Sequence, residues 1–477
     1  RSASVSWALR CVLETDYLHI YCCEICRIYV QEFMSNFSRI ENKATRRLHT
    51  FDAFHSLNYR LLWGTNSTMY VSRWMQMTTL SWFVLDRTDS AFSVGLVGFF
   101  GMVPFLVLGI FGGYLADVLD RKLLIAVTQF LNLISAVIMC VLLSLDIVEY
   151  WYAYIAIIIP GLGWSLDMPS RRSLIMDIMG PQGLTNGVAL DSVGMHISKM
   201  IGPALAGALI AFTGVQGSYI LLSVVMAVGC LLFLKVSQPD RPNQIAKSKI
   251  SSGTTSDLAG SSERKLMREV FSNLAEGFKY AFSSQTIVAV IVITVFMNLL
   301  LFPYMQMVTV VSKNILFVGP LLMGILMSSD GLGALVGSTL IASRNKMVYH
   351  GRIYLYGSIL SLIALMVFSM SSWYLVSLPL LLILGIGTSG FGTMQSAIVL
   401  LVSRPELRGR ALGVVTLAIG AGPIGSLVVG AVSEWIGPAN ALLFNSIIGL
   451  VLVCLSGVFL PSIRGQIIPQ NLSLIHI

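Results

Sequence analysis

Charge is what this chain has least of. Charged residues make up 11% of its 477 positions, against roughly 25% in an average soluble domain. So few charges cannot cover the surface of a soluble protein of this length. The alternating ten-residue pattern of a membrane β-barrel is also missing, which excludes that architecture. A disulfide framework is absent too. Of seven cysteines, Cys140, Cys230 and Cys454 stand singly in apolar runs, where a thiol behaves as a small hydrophobe. Cys11, Cys22, Cys23 and Cys26 lie near the start, and the lone CxxC of Cys23 and Cys26 is too little for a metal or redox centre. No phosphate-binding GxxxxGK[ST], nucleophile elbow or zinc-ligand cluster occurs, so nothing points to an enzyme, a cofactor or a bound metal.

What the chain has is apolar length. Hydrophobic residues reach 55%, in runs of 18 or more, each able to cross a hydrocarbon core about 30 Å thick. Only helices satisfy their own backbone within one such run, so the expected class is an all-α membrane protein. About twelve runs of spanning length fall near 61–85, 91–116, 122–145, 151–174, 187–212 and 216–236, then 286–311, 316–342, 353–370, 373–402, 410–433 and 439–461. The formal charge of +8 is concentrated in alternate loops. One set holds Arg60, Arg121, Lys122, Arg171, Arg172, Arg344, Lys346, Arg352, Arg404, Arg408 and Arg410, and the other only Arg87 and Lys313. That asymmetry predicts a multi-pass protein of the cell membrane with both termini cytoplasmic. It also assigns the basic residues to the bilayer interface and not to nucleic acid.

Organisation follows from composition. Residues 1–58 read as a cytoplasmic N-terminal segment, with translation expected to begin at Met34, and 463–477 as a tail whose last residues read as foreign sequence. Two six-helix halves, 59–236 and 286–462, flank a linker at 237–285. The linker is rich in Ser, Lys, Pro and Asp and closes in an amphipathic stretch from Met267 to Phe282, expected on the membrane surface. An internal repeat joins the halves. Gly109-x-x-x-Gly113 recurs as Gly333-x-x-x-Gly337, and Met168-x-Ser170 with Gly187-Val188 recurs as Met394-x-Ser396 with Gly413-Val414. Parallel repeats of this kind enclose a site between them near the midplane.

The sharpest motif is Gly113-Tyr-Leu-Ala-Asp117-Val-Leu-Asp-Arg121-Lys122. It resembles the signature loop of the major facilitator superfamily, G-x-L-x-D-R-x-G-R-R/K, with Val118 and Asp120 departing from it. Arg60-Leu-Leu-Trp63-Gly64, Trp74-Met75-Gln76, Leu166-Asp167-Met-Pro169-Ser-Arg171, Glu276-Gly277-Phe-Lys-Tyr280 and Glu406-Leu-Arg408-Gly409-Arg410 resemble the enterobactin-exporter-like and macrolide-efflux-like branch. The resemblance spans about 58–462. It implies the major facilitator fold, twelve helices with pseudo-two-fold symmetry, and proton-driven efflux of amphiphilic compounds. It further implies that Asp117 latches the halves against the start of the eleventh helix, near Arg408 and Arg410, in one conformation. Gly202-Pro203-Ala-Leu-Ala-Gly207, after Gly194, is similar to the antiporter motif of exporters. Physically, such small residues let helices approach closely in lipid.

Ionisable residues inside apolar runs are functional candidates, because an unpaired charge there is costly. Arg73 shares a helical stripe with Asn66, Tyr70 and Gln76 and is expected to line a central cavity. Asp330, on one face with Gly333 and Gly337, is the candidate for proton coupling, with a static pair to Arg73 as the alternative. Lys199 follows His196 by one turn, and Asp167 is placed to pair with Arg171 as a gating or structural element. The partners expected are a small-molecule substrate, protons and lipid, for a monomeric chain. An importer or lysolipid flippase on the same fold, and a non-transporting sensor or scaffold, are the rival readings.

Overall fold

Three of the turns between helices are made at a glycine of positive φ, Gly180, Gly214 and Gly437. The computed structural model describes residues 49–118, 120–237, 278–343, 347–404 and 407–467, with 49–51, 108–118, 181, 182 and 185 described by their backbone alone. Residues up to Asp52 form one unit, and all that follows concerns the other, Ala53–Ile477. The CxxC pair, most of the amphipathic linker stretch, Arg344, Lys346 and the tail from 468 lie outside the described residues.

Helix α1 runs Leu57–Thr88, α2 Ala91–Val118 and α3 Arg121–Ser144. A long helical stretch, Tyr152–Leu234, is interrupted only at Gly180 and Gly214, whose φ angles of 66° and 75° are open to glycine and costly for other residues. We label its arms α4 (152–179), α5 (181–213) and α6 (215–234). In the other half come α7 (Gln285–Asn314), α8 (Pro320–Ala342), α9 (His350–Ser369), α10 (Tyr374–Val402), α11 (Arg408–Ile436) and α12 (Pro438–Phe459). Among the described residues there is no strand, and eight helical stretches are each long and apolar enough to cross a membrane.

The expected loop at 175–186 does not exist as such. Gly180 with Pro181 turns the chain within one residue, and helix resumes at once, because proline suits the first turn of a helix, where its missing N–H is not needed. Arg171 therefore does not sit in a loop. It is 1% exposed inside α4, whereas Arg172 is exposed.

Polar and apolar residues are distributed as lipid requires. Large apolar side chains such as Phe212, Leu234, Trp435 and Phe459 face outward, while Thr65, Ser72, Thr79, Thr294 and Gln395 are buried between helices. Lipid tails are as apolar as leucine, so close packing and interhelical hydrogen bonds hold the bundle. Thr79 and Ser218 join α1 to α6 at 2.7 Å, and Gln395 donates to Thr294 at 2.7 Å, joining α10 to α7.

The contacts across the two halves include two glycine seams. A Cβ on Gly207 of α5 would lie 2.8 Å from Cα of Gly324 of α8, and one on Gly95 of α2 would lie 2.9 Å from Cα of Gly430 of α11. Both seams lie toward the end that holds the α1–α2 turn.

Candidate functional site

Between the halves lies a small crevice lined by Trp74, Lys199 and Pro203 on one side and by Tyr304, Met305, Val308, Met327, Asp330 and Leu381 on the other. The backbone explains how the polar groups meet there. Helix α7 carries a π-turn at Met297–Leu301, followed by Pro303, and restarts at Tyr304. That irregularity resets the helical phase and aims the tyrosine at α8. Asp330 is held close by α10, since a Cβ on Gly385 would fall 2.8 Å from the amide nitrogen of Ala334.

The crevice is built around one carboxylate. Asp330 Oδ2 lies 2.7 Å from Lys199 Nζ of the opposite half and accepts from the Tyr304 hydroxyl at 2.6 Å. Lys199 also sits over the Trp74 ring, 5.6 Å from its centroid. A charge at this depth is costly unless compensated, and the pairing leaves the crevice neutral. Asp330 Oδ1 is buried and accepts no hydrogen bond among the described residues. The arrangement sets an aromatic and methionine wall, an ammonium and an unused carboxylate oxygen around one small space.

A second polar cluster lies wholly within the first half. Arg171 donates from Nε and Nη2 to Asp167 Oδ2 at 3.0 and 2.9 Å, while Thr128 donates to Asp167 Oδ1 at 3.1 Å. Arg171 Nη1 donates to Asn66 Oδ1 at 2.5 Å, and Asn66 Nδ2 donates onward to Asp191 Oδ1 at 2.7 Å. The Tyr70 hydroxyl donates to Asp191 Oδ2 at 3.0 Å. Asp167 thus holds the guanidinium directly, and Asp191 meets it only through an amide.

The chain matches the family described as transmembrane secretion effector over residues 49–471. It is a major facilitator superfamily transporter. The transporter is 23% identical to the staphyloferrin A transporter of Staphylococcus aureus over 84% of its own length and 95% of that protein. To the multidrug efflux pump Tap of Mycolicibacterium fortuitum it is 22% identical, over 80% and 90% of the two chains. Among solved structures, a POT family transporter in complex with 5-aminolevulinic acid superposes with a TM-score of 0.64 at 12% identity, covering 85% of this chain and 96% of that one. A bacterial homologue of the lysosomal transporter Spinster gives 0.60 at 14% identity, covering 86% and 97%.

The residues singled out in the transporter's sequence separate into three places. Lys199 and Asp330 meet in the crevice, so the partner of Asp330 is Lys199 and not Arg73. Arg73 instead donates to the Gly101 carbonyl of α2 at 2.8 Å and lies over Trp164 of α4, and Gln76 donates to the Ala156 carbonyl at 3.0 Å. With Asn66 and Tyr70, this stripe engages α2, α4 and α5 of its own half. At the signature loop, Arg121 Nη1 reaches both oxygens of Asp177 at 3.2 and 3.0 Å. Asp120, the departure from the family pattern, caps α3 by accepting from the Lys122 amide at 2.8 Å. Gly113 and Asp117 lie in the last turns of α2, where only the backbone is described, and Arg408 opens α11 with Arg410 two residues in.

Gly202 packs α5 on α1, where its Cβ would meet that of Trp74 at 2.6 Å, and Pro203 borders the crevice. Gly194 faces Trp63. Sequence reasoning passed over Asp191, although the rule that selected Asp330 applies to it equally. It named Trp74 only within a motif and passed over Tyr304; the place of both at the crevice depends on which side of a helix faces the other half.

Proposed function

We propose that this transporter exports amphiphilic small molecules across the cell membrane in exchange for protons. The observation that carries the reading is the ion pair of Lys199 and Asp330, buried in an apolar crevice and spanning the two halves. A transporter of this architecture works by rocking one half against the other, and that motion must part this pair. A proton on Asp330, or a substrate group that takes either partner, removes the attraction. Protonation then needs only to change the relative stability of the two conformations. The names of the relatives, a staphyloferrin A transporter and a multidrug efflux pump, support transport of small molecules, outward in the second case. In the first half, Asp191, which accepts from Asn66 and Tyr70, is a second candidate to carry the proton.

We retain twelve spans in two halves, 59–236 and 286–462, joined by the 237–285 linker. Both termini are cytoplasmic and the chain acts as a monomer. The concentration of Lys and Arg at one end of the bundle, against only Arg87 and Lys313 at the other, supports that orientation. The test uses inside-out vesicles with an acidic interior and a pH-sensitive dye. Drugs, siderophores and lysolipids are added to the wild type, Asp330→Asn and Lys199→Ala. A compound that releases protons with the wild type and fails with both variants supports the reading. Labelled substrate that crosses with no proton movement removes the coupling and favours a flippase or uniporter. Uptake into cells, rather than extrusion, reverses the direction.

A further inference from the structure

The halves also meet at the outer end of α2 and α11, with charged groups set against helix termini. The two helices run antiparallel. Gly95 faces Gly430, Met102 faces Gly422 and Leu106 faces Gly420. At the start of α2, Glu434 near the end of α11 accepts from the Ser90 hydroxyl at 3.1 Å and from the Phe92 backbone N–H at 3.2 Å. The first N–H groups of a helix have no partner inside it, and together they carry a partial positive charge. Glu434 supplies a carboxylate to both needs, from the opposite half.

One turn of chain away, the complementary arrangement holds. Helix α1 ends at Thr88 with Asp89 in the left-handed region, φ 49°. Lys313, at the end of α7, approaches the Leu85 carbonyl at 3.4 Å, Asp89 at 3.2 Å and Asp86 at 3.9 Å. A cation thus sits on the negative end of α1, beside an anion on the positive end of α2. Both charges come from the second half, and both targets belong to one helical hairpin of the first.

We propose that Glu434, assisted by Lys313, is the latch of the conformation closed at this end, and the counterpart of Asp117 at the other. The antiparallel course of α2 and α11 makes the two positions reciprocal. At one end the C-terminal acid of α11 meets the start of α2. At the other, Asp117 near the end of α2 lies on the side of the bundle where α11 begins at Arg408. Each acid holds one conformation and loses its helix terminus in the other. The partners are partly solvated, with Asp86 61%, Asp89 74% and Lys313 30% exposed. Contacts of this kind are individually weak, which suits a latch that opens in every cycle. The proposal rests on alternating access and not on proton coupling.

The experiment measures distances between spin labels placed across the halves at each end, for the wild type, Glu434→Gln, Glu434→Asp, Asp117→Asn and the Glu434→Gln/Asp117→Asn double variant. Glu434→Gln is expected to shift the population toward opening at the α1–α2 end by roughly two- to fivefold. Asp117→Asn should shift it the opposite way, the double variant should return near the wild-type ratio, and Glu434→Asp should stay close to it. Lys313→Gln should reproduce the direction of Glu434→Gln, and molar salt should weaken the effect. An unchanged ratio in Glu434→Gln overturns the proposal, and so does a shift in the same direction as Asp117→Asn. Loss of coupled proton transport with these shifts intact would overturn the exchange reading alone.

Discussion

Substituting Gly324 by alanine tests whether the glycine seam between α5 and α8 belongs to one conformation only. The added Cβ would stand 2.9 Å from Cα of Gly207 in the other half. Carbon atoms rest at about 3.5–4.0 Å, so the helices must part by at least roughly 0.6–1.1 Å, and further to clear the Pro203 carbonyl oxygen that the Cβ meets more closely still, or strain in place. Overpacking of this order costs about 1–3 kcal/mol. In a conformation opened at this end the two faces are apart, and the added methyl costs nothing there. The equilibrium should therefore move toward that conformation by about 5–150-fold. Pulsed electron–electron resonance between labels at Phe212→Cys and Phe317→Cys reads the change, in a background with the native cysteines replaced. These positions flank the seam from opposite halves and are 79% and 85% exposed. The expected result is a longer distance in Gly324→Ala. Gly392→Ala on α10, where a Cβ meets nothing within 4 Å, should match the parent. An unchanged distance distribution in Gly324→Ala would refute the claim that this seam opens during the cycle.

Two further outcomes follow from the same geometry. Arg171→Met strands the Asp167 carboxylate in the first half and should lower stability by about 3–5 kcal/mol, seen as an earlier thermal unfolding in detergent, with Asp167→Leu in the same chain restoring part of it. If the single and double variants unfold together, the pair is not structural. Asp120→Ala removes the cap of α3 and should cost about 0.5–2 kcal/mol, as faster hydrogen exchange confined to the amides of Lys122 and Leu123. Unchanged exchange there would mean that Asp120 does not hold the turn.

Composition and periodicity determined the class of this protein and much of its plan. Too few charges for water, apolar runs of spanning length and basic loops at one end leave a helical membrane bundle as the solution. The signature loop pointed to the family, because its residues answer the local demands of a turn and a close approach, which spacing reveals. Asp167 and Arg171 were legible as a pair for the same reason, being one turn apart on one helix. What only the tertiary structure decided is which helix faces which. Lys199 finds Asp330 from the other half, Arg73 spends itself on a carbonyl of α2, and Glu434 reaches the start of α2 from 342 residues along the chain. The physical reason is that a buried charge must find some partner, and sequence states that need without saying which of the neighbouring helices meets it. The break in α7 adds to this, since a single π-turn rotates every later side chain and puts Tyr304 where a regular helix would not.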